Sequence, residues 1–167
     1  VSQFALVGIV VAVFFFGGIA EDVGYSLHVH IPFVKPQLAT IELPAWAYAI
    51  FAALVIFATS TAVNLTDGLD GLAIGPTIVS AVTFGVLAYL TGAVLFGFSL
   101  ADWLLLPRVQ GVDELAVLCA AMAGAGIGFL WYNTYPAQVF MGDVGALPLG
   151  GALGGVAVFT KHELLSV

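Results

Sequence analysis

Charge is what this sequence has least of. Among 167 residues there are 3 Lys or Arg and 10 Asp or Glu, 8% of the chain, whereas 62% are hydrophobic and mean hydropathy is +1.14. A soluble domain carries roughly 25% charged residues, and so few charges cannot cover a water-facing surface. Basic residues are the scarcest, and the net charge is −7. With no basic stripe to neutralise phosphates, a nucleic-acid binder is excluded. One cysteine, Cys119, allows neither a disulfide framework nor a Cys-based zinc site, and it reads as a small buried hydrophobe. Disorder is excluded by the amount of apolar surface. The chain opens within an apolar stretch without Met or a basic leader, so that stretch is not a signal peptide and the chain reads as part of something longer.

Long apolar runs are present instead. A spanning helix takes about 20 mostly apolar residues. Five stretches meet this, over residues 4–20, 44–62, 72–90, 115–132 and 144–159. They do not alternate and are too long for barrel strands. The expected architecture is an all-α polytopic membrane protein, one membrane unit over 1–167. Residues 21–43, with His28-Val-His30 and nearby prolines, suggest a small hairpin or irregular loop at the membrane surface. Phe96–Leu106, interrupted by Asp102, suits a helix lying in the interface. Gly124/Gly128, Gly150/Gly154 and Gly151/Gly155 each form G-x-x-x-G, which suits close helix packing within a bundle, with a homodimer face as the alternative use.

Five spans place loops 63–71 and 133–143 on one face of the membrane. The first contains Asn64, Asp67 and Asp70, spaced three apart, with Gly68 and Gly71 to let the chain bend towards a ligand. Two carboxylates and a carboxamide at the end of a span are costly unless solvated, paired or bound to a cation. One Asp could cap the following helix, but capping does not account for all three residues. The second loop holds Asn133-Thr-Tyr-Pro136, a helix-ending turn, and Phe140-Met-Gly-Asp143-Val-Gly145. Asp143 is expected as the N-cap of a helix that begins near Gly145, with Pro148 in its first turn. Three oxygen-bearing acids on one face suit a hard cation, and Mg²⁺ is the natural one for phosphate chemistry. His28 and His30 read as structural. His162, beside Lys161, reads as a positive charge at a helix end. Glu21–Asp22 and Asp113–Glu114 read as solvated helix ends.

Both motifs, Asn64-Leu-Thr-Asp-Gly-Leu-Asp-Gly-Leu-Ala73 and Phe129-Leu-Trp-Tyr-Asn-Thr-Tyr-Pro-Ala-Gln-Val-Phe-Met-Gly-Asp-Val-Gly145, resemble those of the phospho-N-acetylmuramoyl-pentapeptide transferases. That group belongs to the polyprenyl-phosphate N-acetylhexosamine-1-phosphate transferases. The resemblance implies the middle of a ten-helix fold in the bacterial inner membrane. The implied activity is Mg²⁺-dependent transfer of phospho-N-acetylmuramoyl-pentapeptide from its UDP carrier to undecaprenyl phosphate, giving lipid I and UMP for peptidoglycan synthesis. It implies Asp143 as the Mg²⁺-linked acid, and Asn64 and Asp67 as catalytic cleft residues. Gly68, Leu69, Asp70 and Phe140 would form the uracil pocket, with Asn133 a further polar contact.

The same resemblance makes residues 21–43 a periplasmic hairpin and places the motif loops in the cytoplasm. The three basic residues, Lys35, Arg108 and Lys161, lie on the other face, and the positive-inside rule alone would reverse that orientation. The family's Asp-Asp pair, early Lys and His-rich loop have no counterpart here, so this chain alone is expected to be inactive. Alternatives are a sibling transferase using UDP-GlcNAc, a non-catalytic membrane fragment, or a channel. The last would place its acids near span centres rather than span ends.

Overall fold

The computed structural model describes residues 2–17, 28–30, 40–92, 94–95, 98–99, 101, 106, 109 and 111–166. Among the described residues five helices run as continuous elements: α1 (Ser2–Phe16), α2 (Ala45–Thr66), α3 (Ile74–Gly92), α4 (Leu115–Asn133, entered through a 3₁₀ turn at Val112–Glu114) and α5 (Gly142–Phe159). The last four are long and apolar enough to cross a membrane, with Val112–Asn133 counted as one span. The protein is an all-α integral membrane protein. Of the first expected span, α1 is described over Ser2–Phe16, and residues 18–27 lie outside the described residues. Glu21, Asp22, Lys35, Asp102 and Arg108 also lie outside them.

Two short ribbons accompany the helices. β1 (His28–His30) pairs antiparallel with β2 (Thr40–Glu42), the strand pairing that the hairpin reading of this stretch expects, while residues 31–39 lie outside the described residues. β3 (Val94–Leu95) pairs with β4 (Phe98–Ser99), where the interfacial helix was expected to begin. Valine, leucine and phenylalanine suit a strand as well as a helix face. In the rest of the 96–106 stretch only Ala101, helical, and Leu106 are described.

Helices pack as antiparallel pairs through small residues. On α3 and α4, a Cβ at Gly126 would sit 2.7 Å from Ile78, and one at Gly85 would sit 2.9 Å from Cys119. On α2 and α5, a Cβ at Gly150 would lie 2.6 Å from the Thr59 carbonyl oxygen, and one at Gly154 would overlap Thr59 Oγ1. Such close backbone approach is how helices associate in lipid, where burial of apolar surface supplies little drive. Gly150/Gly154 therefore serve the bundle, whereas Gly124, Gly128, Gly151 and Gly155 face open space. Ala81, Phe84, Cys119, Ala123, Leu153, Val156 and Ala157 join the two pairs in one core.

A second core, of Val29, Tyr48, Ala52, Val55 and Val158, seats the hairpin against the start of α2 and the end of α5. At this end Phe14 meets Phe159 edge-on at 4.9 Å, and Phe15 meets Tyr48 at 5.4 Å. The end of α1 therefore lies with the start of α2 and the end of α5. Here the expectation for His162 is corrected. Rather than standing as a positive charge at a helix end, it is buried, its Nδ1 lies 2.7 Å from the Thr160 carbonyl, and burial lowers its pKa and so disfavours the charged form. Lys161 and Glu163, on either side of it, are buried as well.

Candidate functional site

The opposite end of the bundle carries both motif loops. α2 runs one turn further than its apolar stretch and takes in Asn64, and Asp67 follows as its C-cap. Residues 67–73 then turn into α3. Asp70 caps no helix: its Oδ2 accepts from the backbone N–H of Ala137, 3.0 Å away in the other motif loop. Gly71 adopts φ +73, a conformation that suits glycine, and its N–H donates to Asn133 Oδ1 at 2.9 Å. Asn133 is the buried last residue of α4, and its Nδ2 donates to the Val139 carbonyl at 2.8 Å. One buried carboxamide thus ties together Gly71 and Val139, from loops more than sixty residues apart in sequence. The shared face deduced by counting spans is a bonded contact.

α5 begins at Gly142, with φ +64, and not near Gly145. Asp143 therefore lies inside the first turn and makes no cap hydrogen bond; the N-cap position is Met141. A carboxylate in a first turn still has favourable electrostatics with the N-terminal end of the helix dipole. Pro148 consequently falls within the helix, where it supplies no N–H. The helix is secured there from outside, because Ser60 Oγ donates to the Leu147 carbonyl at 2.8 Å.

That bond also fixes the level of Asp143. α2 and α5 are antiparallel, with Ser60 against Leu147 and Gly150, and Ile56 against Gly154. One further turn in each helix brings Asp143 level with the last turn of α2, between Asn64 and Asp67. Ser60 and Asp143 line one cavity of about 560 Å³, with Leu6, Val7, Leu147 and Gly151. The start of α1 thus closes this side of the site.

Asn64 is half-buried; its Oδ1 is buried and has no hydrogen-bond partner among the described residues. Asp67 and Asp70 are half-buried, whereas Gly68, Leu69 and Asp143 are exposed. Phe140 is 72% exposed and lines a separate cavity of about 460 Å³ with Phe129 and Met141, beside the α3–α4 pair. The expected trio of acids is not drawn into one cage: among the described residues no three His, Cys, Asp or Glu side chains are placed to hold a metal ion. Asp70 is instead engaged by the neighbouring loop. Thr61 Oγ1, one turn before Asn64, is a second buried oxygen without a hydrogen-bond partner among the described residues, and no sequence motif pointed to it.

The sequence profile of glycosyl transferase family 4 matches residues 3–161. The chain belongs to that family. Among curated proteins, it is 62% identical over 137 residues to the phospho-N-acetylmuramoyl-pentapeptide-transferase of Sorangium cellulosum, covering 82% of this chain and 36% of that protein. It is 59% identical over 141 residues to the protein of the same name from Anaeromyxobacter sp. strain K, covering 84% of this chain and 37% of the relative. Against the Citrifermentans bemidjiense protein, again of that name, identity is 53% over 147 residues, covering 86% and 38%. The chain therefore spans between a third and two fifths of the length of these relatives. The stretch matched by the family includes four membrane-length helices and the two bonded polar loops.

Proposed function

We propose that the protein containing this segment transfers phospho-N-acetylmuramoyl-pentapeptide from UDP to undecaprenyl phosphate at the cytoplasmic face of the bacterial inner membrane. The products are lipid I and UMP. A phosphate oxygen of the lipid forms a bond to the sugar-bearing phosphorus of the UDP-sugar. The bond between that phosphorus and the bridging oxygen breaks, and UMP leaves with the oxygen and its electron pair. Such a transfer needs positioning and charge neutralisation more than covalent help from the protein.

The observation that carries this reading is the joining of the two motif loops at one end of the bundle, where Asp143 is level with the last turn of α2. In this reading the Asp70–Ala137 and Gly71–Asn133 contacts shape the nucleotide end, with Gly68 and Leu69 beside them and the exposed Phe140 ring offered to the uracil. In the same reading the half-buried Asp67, the C-cap of α2, serves the sugar-phosphate cleft. Asp143 and the unpartnered Asn64 oxygen fit a hard cation that takes its remaining oxygens from water and phosphate. These residues would hold Mg²⁺, which, when bound, neutralises pyrophosphate charge. Since the segment is little more than a third of its relatives' length, it is inactive alone.

The test is UMP release by the full-length protein in lipid vesicles. Release should require both undecaprenyl phosphate and UDP-N-acetylmuramoyl-pentapeptide, and Asp143→Asn should reduce it at least about 100-fold, as expected for loss of a transition-state electrostatic group. Consumption of UDP-GlcNAc instead would transfer the reading to a sibling enzyme. No UMP from either donor would overturn it.

A further inference from the structure

The far end of the α2–α5 pair holds a polar cluster that the proposed chemistry leaves unused. Tyr48 stands in the first turn of α2, and Lys161 and Glu163 lie just past α5. All three are fully buried or within 1% of it. Lys161 Nζ donates to Tyr48 Oη at 2.9 Å and lies 4.2 Å from the centre of its ring. Tyr48 Oη in turn donates to Glu163 Oε1, and the lysine and glutamate are 4.0 Å apart.

The backbone beneath this cluster is unusual. The His162 N–H bonds to the Ala157 carbonyl at 2.8 Å, and the Lys161 N–H to the Val158 carbonyl at 3.1 Å. That is a Schellman ending, in which the residue at the position of Lys161 is left-handed and usually glycine. Lys161 has φ +62. A β-carbon is disfavoured in that conformation, so the backbone gains nothing from lysine here. The side chain is the part that has a use.

The rest of the α2–α5 contact suggests what that use is. Gly150 and Gly154 lie flat against Ile56, Thr59, Ser60 and Val63, so this contact holds the middle of the pair and leaves the far end to be held by other groups. Ser60 bonds to a backbone carbonyl, a group that recurs at every residue along α5. The Lys161–Tyr48–Glu163 chain, by contrast, is specific to side-chain identity. Buried polar groups are weak sources of stability, and setting register is their best-attested use.

We propose that Lys161, Tyr48 and Glu163 are positioning residues: a register clamp on α2 and α5 that keeps Asp143 level with Asn64. The inference rests on the reading of Asp143 as a site residue. Tyr48 and Asn64 are 16 residues apart on one helix, so the clamp acts over about 24 Å through a nearly rigid rod. A slip of a single residue moves Asp143 by about 1.5 Å, and a misplacement of about 1 Å can cost about 100-fold in rate.

The test uses the full-length protein in lipid, with Lys161→Gly and Tyr48→Phe. Lys161→Gly gives the backbone its preferred residue and removes the clamp. Tyr48→Phe keeps the ring and removes one hydroxyl, which guards against a folding failure of the first variant. Spin labels at Leu65 and Val144, both strongly exposed, report the α2–α5 offset. The clamp predicts a label distance that is shifted by 1–2 Å or clearly broadened. In unlabelled protein it predicts kcat, per folded molecule, at least about tenfold lower. The donor KM should stay within about twofold, because the Asp70 and Asn133 contacts belong to other element ends.

An unchanged distance in folded Lys161→Gly or Tyr48→Phe overturns the clamp, whatever the activity. Failure of both variants to fold overturns it too, by making the cluster a folding requirement. If the wild-type protein releases no UMP, the functional reading fails, while the label distances still decide the clamp.

Discussion

Replacing Gly150 by alanine should loosen the α2–α5 pair, and its neighbour Gly151 provides the control. A Cβ at Gly150 would lie 2.6 Å from the Thr59 carbonyl oxygen and 2.7 Å from Ser60 Cα, both backbone atoms that cannot rotate away. Ordinary contact begins at 3.4 Å, so the helices must part by about 0.8 Å locally. The Ser60–Leu147 hydrogen bond, now 2.8 Å, would lengthen to about 3.6 Å and be lost. Overpacking costs about 1–3 kcal/mol, the lost bond about 1 kcal/mol, and alanine returns about 1 kcal/mol of helix propensity. The net loss is about 1–3 kcal/mol. At Gly151 nothing lies within 4 Å of the new carbon, so alanine there should be neutral or stabilising by up to about 1 kcal/mol. Denaturant unfolding of the full-length protein in one detergent measures both. Equal effects of Gly150→Ala and Gly151→Ala would refute the assignment of Gly150 to the interface.

Further outcomes follow from the same contacts. Asn133→Leu removes the partners of the Gly71 N–H and the Val139 carbonyl at once, and should cost about 2–4 kcal/mol locally. Hydrogen exchange at Gly71 should then speed up, and unchanged exchange would count against the loop tie. Asp70→Ala frees the Ala137 N–H and should raise the donor KM more than it lowers kcat; an unchanged KM with lowered kcat would place Asp70 at the reacting phosphates instead. Burial lowers the pKa of Lys161 to about 7, against the pull of Glu163. Between about pH 7 and 10.5 the unfolded chain therefore binds the extra proton, and stability rises with pH relative to Lys161→Met, by at most about 1.4 kcal/mol per pH unit. Denaturation curves that stay parallel across that range would contradict a buried lysine.

Much of the architecture was legible because lipid imposes a simple code. Long unbroken apolar runs marked α2 to α5, and counting spans placed Asn64–Gly71 and Asn133–Asp143 on one side, where Gly71 and Asn133 meet. What was not legible depends on which neighbour covers a residue. Gly150/Gly154 and Gly151/Gly155 have identical spacing, and only the position of α2 decides which pair is used. Lys161-His162-Glu163 after an apolar helix reads as a wet end; the covering by Tyr48, and the seating of Val29 nearby, come from distant parts of the chain. Asp143 looked like a cap because caps and first-turn acids share a residue preference, and backbone geometry separates them. Residues 94–99 are mostly apolar and aromatic side chains that a ribbon accepts as well as a helix face does, and Gly97 is the one sign against a helix.

Proximity of Asn64 to Asp143 is the point on which the account stands, and thiol cross-linking in native membranes measures it directly. The full-length protein carrying Asn64→Cys and Asp143→Cys should be joined in high yield by a short bifunctional thiol reagent. A Ser60→Cys/Leu147→Cys pair, at positions brought side by side by the Ser60 Oγ–Leu147 carbonyl bond, calibrates the yield. A linked control with an unlinked Asn64/Asp143 pair would show that the two motifs do not converge on one site.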